Sequence, residues 1–452
     1  MMGRQTGEQA ALFYSFNLDQ HIPSNHLLRD IDRVLDLSDL HQYLAPYYSQ
    51  TGRPSIDPAL MIRMLLIGYC FGIRSERRLC EEVHLNLAYR WFCRLGLQDP
   101  VPDHSSFSKN RHGRFRDSET FRHLFEGTIR RGMQEGLIKG EGFAIDASLI
   151  KADANRQRAV PGGEVVDWQD PKRATRAVRE YVDGLEAVNP ADPVPKSISL
   201  TDPCARWTAR EGPAFFAYST NYLIDLHLGM IVDVQASPAT LGEEVKTTRV
   251  MLDRVEGCFD MKPQRLVGDT AYGTGALLGW LVDDKQIAPH IPVWDKSERD
   301  DGTFGRSAFT FDAAHNCYVC PAGKLLTPAW RSKQKNRFRY RASLLDCQAC
   351  PLKTQCCPNM PQRNIDRSPH EAARDVARTI AKTDAYKQSR NDRKKVEMLF
   401  AHLKRILKFD RLRLRGPKGA QDEFLLAATV QNLRRMAKQL AQAPPKTQFA
   451  IT

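Results

Sequence analysis

The sequence predicts an α/β protein: a mixed sheet flanked by helices, preceded by a helical N-terminal domain and interrupted by a cysteine-rich insertion. Three observations predict it. Apolar residues recur at helical spacing from about Ser24 to Gly140. Beyond Gly140 the pattern changes to strand-like and helical runs in the order β, β, β, α, β, α, β, with a long helix later. Six of the eleven cysteines then crowd into "HNCYVCPAGKLL" and "DCQACPLKTQCCP".

The elements follow in chain order. "SIDPALMIRMLLIGYCFG" has Pro near its start and Gly at its end, as a capped helix does. Its apolar centre carries Arg63 and is too short to cross a membrane, so it is read as a core helix. "SERRLCEEVHLNLAYRWFCRLGL" reads as one helix with Leu79, Val83, Leu87, Trp91 and Leu95 on a face. The basic stretch Lys109 to Arg116 reads as a loop, either solvated or touching DNA phosphates. "GFAI" is a short strand ending near Asp146. "AFFAYSTNYLIDLHLGMIVDVQASPAT" is two strands joined near "HLGM". "LGEEVKTTRVMLDRVEG" is a helix with Val245, Met251, Leu252 and Val255 facing a core. "RLVG" is a strand ending before Asp269, and "APHIPVW" another. Within the mixed-charge segment 155–211, "DPKRATRAVREYVDGLEAV" reads as a helix. "DEFLLAATVQNLRRMAKQL" reads as a closing amphipathic helix packed through Phe424, Leu425, Ala428 and Leu433. The expected divisions are 1–139 helical, 140–295 first part of the sheet domain, 296–375 cysteine-rich, 376–442 long and closing helices, and 443–452 a disordered tail.

No apolar run has the roughly 18–20 residues of a membrane helix, and "MMGRQTGEQAALFYSF" lacks a signal pattern, so a cytoplasmic protein is expected. The net charge is +13. Its distribution is uneven: Tyr386 to Gly419 holds twelve Lys/Arg against three Asp/Glu. Such a concentration points to a polyanionic partner, nucleic acid first.

One glutamate stands in that basic run. In "NDRKKVEMLFAHLKRILKFDRLRLRG", Val396, Leu399, Phe400, Leu403, Ile406 and Leu407 form a helical apolar stripe with Glu397 at its border. Asp146 and Asp269 each follow a predicted strand, where side chains of a sheet converge at one edge. Three clustered carboxylates repel unless a cation neutralises them, and hard oxygen ligands suit Mg²⁺ or Mn²⁺. Two such ions serve phosphodiester chemistry. Arg393 and Lys404, near Glu397 on the helix, would hold DNA phosphates, with Arg390 and Lys394 beside them.

"GFAIDAS", "LVGDTAYG" and "NDRKKVEMLFAHLKR" resemble the three acidic motifs of DDE transposases from bacterial insertion sequences. The resemblance covers most of the chain and includes the helical N-terminal region. It implies a ribonuclease-H-like core, with Asp146, Asp269 and Glu397 as a triad binding two Mg²⁺ or Mn²⁺ ions. It also implies a homodimer or larger assembly on double-stranded DNA, at the bacterial nucleoid. Many family members carry Tyr-x2-Arg-x3-Glu-x6-Lys around the glutamate. Arg393, Glu397 and Lys404 match this pattern, and Arg390 stands at the tyrosine position. The implied reaction is cleavage at transposon ends followed by joining of a 3′-hydroxyl to target DNA.

Between Asp269 and Glu397 lies the insertion. Cys317-x2-Cys320 and Cys347-x2-Cys350 have the spacing of a zinc ribbon, with Cys356, Cys357 or His315 as possible substitutes. Between the two pairs, Arg331, Lys333, Lys335, Arg337, Arg339 and Arg341 alternate with other residues. Period two would put all six on one face of a strand, as a DNA-contacting arm or as a solvated edge. Two alternatives to a transposase remain open at this level: a nuclease on the same core that does not join strands, and a DNA-binding protein with an unused site.

Overall fold

A computed structural model of the chain describes residues 15–49, 51–52, 55–185, 194–209, 212–294, 301–332 and 337–442. Lys333, Lys335 and the tail from Ala443 lie outside the described residues.

The N-terminal region is helical. It includes α1 (Leu27–Val34), α2 (Pro58–Cys70), α3 (Glu76–Leu85), α4 (His104–His112) and α5 (Thr120–Gln134). Asp57 starts α2 by accepting the Ala59 N–H at 2.7 Å, and Pro58 occupies a first-turn position where no donor is needed. Most of α2 is buried, and its Arg63 pairs with Asp32 at 2.6 Å. The helix expected from Leu79 to Leu95 is broken. Asn86 is extended (φ −96°, ψ 116°), and its Oδ1 accepts the N–H groups of Ala88 and Tyr89, which starts a new helix, Leu87–Phe92. Lys109 to Arg116 is not a loop either. It forms the end of α4 and the short helix Arg114–Asp117. Arg111 and Arg116 are buried and pair with Glu76 and Asp422, each at 3.0 Å, so these two cations join helices instead of reaching outward.

The main sheet contains β1 (Gly142–Lys151), β2 (Phe215–Asp225), β3 (Ile231–Pro238), β4 (Arg265–Val267) and β5 (Ala288–His290). Their order is β3-β2-β1-β4-β5. The pairs β3–β2 and β2–β1 are antiparallel, and β1–β4 and β4–β5 are parallel. The β2–β3 hairpin turns at Gly229 (φ +67°), while Asp225 accepts the N–H groups of His227 and Gly140. β1 does not stop near Asp146. Its ladder with β2 runs on to Lys151↔Ala217, whereas its pairing with β4 ends at Ala144↔Val267. Asp146 therefore sits just beyond the point where β4 leaves β1.

The helix α6 (Leu241–Phe259) packs on β2 and β3, burying Met251, Leu252 and Val255, with Val245 partly buried. After a short helix α7 (Glu371–Ile380) comes α8 (Asp384–Arg405), packed on β1 and β4. Its stripe is buried at Val396, Leu399, Phe400 and Leu403, but Ile406, at the C-cap, is exposed. The last helix, α9 (Gly416–Gln442), is buried on most sides rather than amphipathic: Phe424 to Ala428, Val430 to Leu433, Met436 and Ala437 all lie inside. One hydrophobic core runs from Leu28 to Ala437. A second, around Phe309, Tyr318, Leu326 and Tyr340, belongs to the cysteine-rich insertion. There β6 (Thr310–Asp312), β7 (Cys317–Val319), β8 (Leu325–Ser332), β9 (Arg337–Ala342) and β10 (Asn364–Arg367) form a separate antiparallel sheet in sequence order. Among the described residues no helix is long and apolar enough to cross a membrane.

A buried ion pair ties the N-terminal helices to α9. Glu423 has no exposed side-chain surface; its Oε1 accepts the N–H groups of Arg413 and Leu414 at 2.7 Å, and its Oε2 pairs with Arg74. The Arg74 guanidinium lies over the rings of Tyr69 and Phe409, 4.5 and 4.2 Å from their centroids. Removing one partner strands the other charge without solvent. We therefore expect Glu423→Ala and Arg74→Ala each to lower unfolding free energy by about 3–5 kcal/mol in denaturant titrations. A loss near zero would show that the pair does not hold the helices to the core.

Candidate active site

Asp146, Asp269 and Glu397 come from three elements. Asp146 is half-buried on β1, opposite Tyr222 of β2, and its Oδ1 accepts the N–H of Ala147 at 2.8 Å. Asp269 follows β4 after Gly268 and caps the turn Thr270–Tyr272, accepting the Ala271 N–H at 2.8 Å. That turn is packed tightly: a Cβ at Gly273 would come within 2.0 Å of the Pro292 carbonyl oxygen, so glycine is required there. Glu397 lies on α8 with an exposed side chain.

Arg393 links them. Its Nη2 donates to Glu397 Oε1 at 2.9 Å, and its Nη1 lies 4.0 Å from Asp269 Oδ2. Burial opposes the Arg393 charge, but Glu397, Asp146 and Asp269 more than reverse this and raise its pKa. Asp146 is the strained member. Burial pushes its carboxyl up to about 6; the Ala147 N–H and Arg393 pull it down, and the charges of Asp269 and Glu397 push it further up. Asp202 and Asp422 are also pushed up to about 6 by burial, but they have strong partners in the Tyr218 hydroxyl and the Arg116 guanidinium. Asp146 accepts only from its chain neighbour among the described residues.

Two residues that the sequence reading did not single out belong to this region. Tyr272 is buried, its hydroxyl has no hydrogen-bond partner among the described residues, and burial raises its pKa, with Glu244, Asp146 and Asp269 adding to the rise. Glu244, in the first turn of α6, accepts the Ser219 hydroxyl of β2 at 3.0 Å. The signal was present in "DTAYG" and "LGEEVK", but neither period nor charge density distinguishes these residues from ordinary turn and cap positions.

Of the expected phosphate contacts, Arg390, Lys394 and Lys404 are exposed on α8. Arg393 faces carboxylates instead, because an arginine four residues before a glutamate on a helix reaches it directly. The expected six-cation face is divided between strands. β8 and β9 are antiparallel, so Arg331 lies on a different strand from Arg337, Arg339 and Arg341, opposite Phe338 in the register. Arg337, Arg339 and Arg341 do share one face of β9, with Phe338, Tyr340 and Ala342 on the other. Arg339 pairs with Asp366 at 2.7 Å and lies over Trp330; Arg341 donates to Asn364 at 3.2 Å.

The cysteines divide too. Cys320, Cys347, Cys350, Cys356 and Cys357 line one cavity of about 20 Å³, room for a single water-sized particle. Cys317 is buried on β7, paired with Asp312, and is not among the lining residues. The first pair straddles the end of a strand: Cys320 opens the turn at Gly323 (φ +73°), and its Sγ accepts the Lys324 N–H at 3.3 Å. Burial pushes Cys356 up to about 11, and Cys357 adds to the rise. Among the described residues no three His, Cys, Asp or Glu side chains converge tightly enough, as placed, to hold a metal ion.

The raised Asp146 carboxyl has a sign that can be measured. The folded chain binds that proton more tightly than the unfolded chain, so its contribution to stability falls as pH rises from about 4 to about 6 and is fully unfavourable above that. Asp146→Asn keeps an acceptor for Ala147 and removes the charge. It is expected to stabilise the metal-free protein by up to about 3 kcal/mol at pH 7.5 and by nothing at pH 3.5, measured by thermal unfolding. A less stable variant at pH 7.5 would contradict the strain.

Two family models match the chain. One, described as Transposase domain (DUF772), covers residues 16–113, the region of α1 to α4; the other, Transposase DDE domain, covers 319–437, from the end of β7 through α8 and most of α9. No curated protein and no solved structure matches. The second match contains Glu397 and the Arg393 that joins it to Asp269, while Asp146 and Asp269 lie upstream of it. With a transposase domain at one end and a DDE domain at the other, the chain belongs to the DDE transposases of insertion-sequence type.

Proposed function

We propose that this transposase cleaves DNA at the ends of its element and joins the freed ends to target DNA, with Asp146, Asp269 and Glu397 as the catalytic carboxylates. The observation that carries this reading is the placing of Arg393, which pairs with Glu397, lies 4.0 Å from Asp269 and has its charge favoured by nearby Asp146, at the place where β4 diverges from β1. The sheet order, an antiparallel three-strand unit continued by two parallel strands, supports a ribonuclease-H-like core. In the first step water attacks a phosphodiester at the element end, the bond to the 3′ oxygen breaks, and a 3′-hydroxyl is left. In the second step that hydroxyl attacks a target phosphodiester and displaces the target's 3′ oxygen.

The three carboxylates suit a divalent metal in their chemistry, and would have to draw together, with Glu397 released from Arg393, to share one. They offer hard oxygen donors, and the strained Asp146 carboxylate gains from a nearby cation. Mg²⁺ or Mn²⁺ ions bound there would stabilise charge on the attacking and leaving oxygens. Arg393 neutralises part of the carboxylate charge in their absence, and it must release Glu397 for that side chain to serve as a ligand. Arg390, Lys394 and Lys404 on α8, with Arg337, Arg339 and Arg341 on β9, are the proposed DNA-backbone contacts. Two element ends have to be held together, so the active form on DNA is a dimer or larger, in the cytoplasm at the nucleoid.

We also propose a structural Zn²⁺ in the insertion, held by Cys320, Cys347, Cys350 and one of Cys356 or Cys357, all of which line one cavity. A bound cation would deprotonate thiols that burial otherwise keeps neutral.

Two experiments test these readings. Strand nicking and joining would be measured with element-end DNA, supercoiled target and Mg²⁺ or Mn²⁺. The wild type should give joined product, and Asp146→Asn, Asp269→Asn and Glu397→Gln should each lose at least about a thousandfold in rate. Nicking without joining would favour a nuclease, and an active Glu397→Gln would remove that residue from the chemistry. Metal analysis of the purified protein should find about one zinc per chain, lost in Cys320→Ser and Cys350→Ser and kept in Cys317→Ser. Retention in all three would exclude the cavity as the site.

A further inference from the structure

We infer that the segment Arg411–Arg415, set against the end of β1, forms a second DNA-backbone surface, on the opposite face of β1 from the carboxylates. This rests on the reading of the protein as a DNA transposase.

The segment "RLRLR" follows α8 and is held rigidly. Lys151 donates its N–H to the Asp410 carbonyl at 3.2 Å and accepts the Leu412 N–H at 2.7 Å, so Arg411 is bridged to the last residue of β1. Leu412 and Leu414 are buried, and Glu423 binds the N–H groups of Arg413 and Leu414. With both leucines turned in, Arg411, Arg413 and Arg415 are all turned out and exposed. Lys151 and Arg156, also exposed, extend the ridge. Lys151 Nζ lies 5.5 Å from the Phe215 ring centroid and the Arg156 guanidinium 5.3 Å from that of Trp207. These groups, with Arg411, line an open groove of about 160 Å³.

Five cations from two distant parts of the chain thus share one surface. The acids beside them are few. Asp153 accepts from Arg411 at 3.0 Å and from Arg415 at 2.9 Å, and Asp410 is exposed. One carboxylate shared by two exposed arginines gains little in water and leaves the ridge positive. Lys151, Arg156 and Arg413 have no ion pair among the described residues. A solvated surface has no need to fix like charges on a hydrogen-bonded backbone, whereas a phosphate backbone relieves their repulsion and releases counterions. Lys151 is five residues beyond Asp146, roughly 17 Å along the strand, and alternation turns it to the other face. The ridge is therefore separate from the α8 surface beside Glu397.

Binding of the full chain to a duplex of arbitrary sequence, measured across a range of salt concentrations, tests this. Phosphate contacts carry no sequence information, so the element's own ends are not needed. The triple variant Lys151→Gln, Arg156→Gln, Arg413→Gln should reduce the slope of log K against log salt by about 2–3, with unchanged thermal unfolding. Asp153→Asn should act in the opposite direction and tighten binding several-fold at low salt, which a damaged fold would not do. A wild-type slope in the triple variant, together with no tightening in Asp153→Asn, would overturn the inference. If Arg390→Gln with Lys394→Gln lowered the slope in that case, the ridge would be excluded while the transposase reading stood. Salt-independent or absent duplex binding by the wild type would overturn both.

Discussion

The architecture depends on how α9 satisfies the backbone it is buried against. β3 is the edge of the main sheet, and an edge strand inside a core would leave its amides and carbonyls unpaired. Side chains of α9 take the place of the missing strand. Asn432 accepts the Ile231 N–H at 2.9 Å and donates to the Ile231 carbonyl at 2.7 Å; Gln421 does the same for the Ala236 N–H and the Val234 carbonyl, at 2.7 and 3.0 Å. Gln431 donates to the Leu399 carbonyl of α8 at 2.8 Å and accepts the Tyr222 hydroxyl of β2 at 2.9 Å. Tyr222 in turn stands opposite Asp146 in the ladder and stacks on Phe400. One helix thus sets the position of α8, which carries Glu397, relative to the strand that carries Asp146.

The same helix anchors the N-terminal region through Glu423 to Arg74 and Asp422 to Arg116. This explains where several of the arginines go. Arg74, Arg111, Arg116 and Arg122 all point inward to carboxylates, so these arginines join elements inside the fold and present little cationic surface to solvent. Other cations, on α8 and on the segment after it, are exposed.

Charge at the three acids is balanced by proximity. Arg393 is close enough to neutralise two carboxylates in part, and Asp146 is left with a carboxyl held near 6 by burial. A carboxyl placed this way costs stability while it is charged, because burial and its acidic neighbours both oppose that charge. The insertion between β5 and α7 has its own small core, so it can be carried without disturbing that geometry.

Much of this was legible in the sequence by itself. Apolar period and capping residues located α2, α6, α8, the β2–β3 hairpin and the order of the main strands, because these signals depend on neighbours within a few residues. Glu397 drew attention as the one glutamate among cations, on the border of a buried stripe. Tertiary structure decided the rest. Period says which face of a strand is buried but not how long a partner continues, so β1 extends past Asp146 because β2 does. Cysteine spacing cannot show that Cys317 ends in a strand while Cys320 turns into the cavity. Alternation failed for the Arg331–Arg341 run because its two ends lie on different, antiparallel strands. Charge density could not separate Arg393, drawn to carboxylates by contacts across three elements, from the arginines that face solvent.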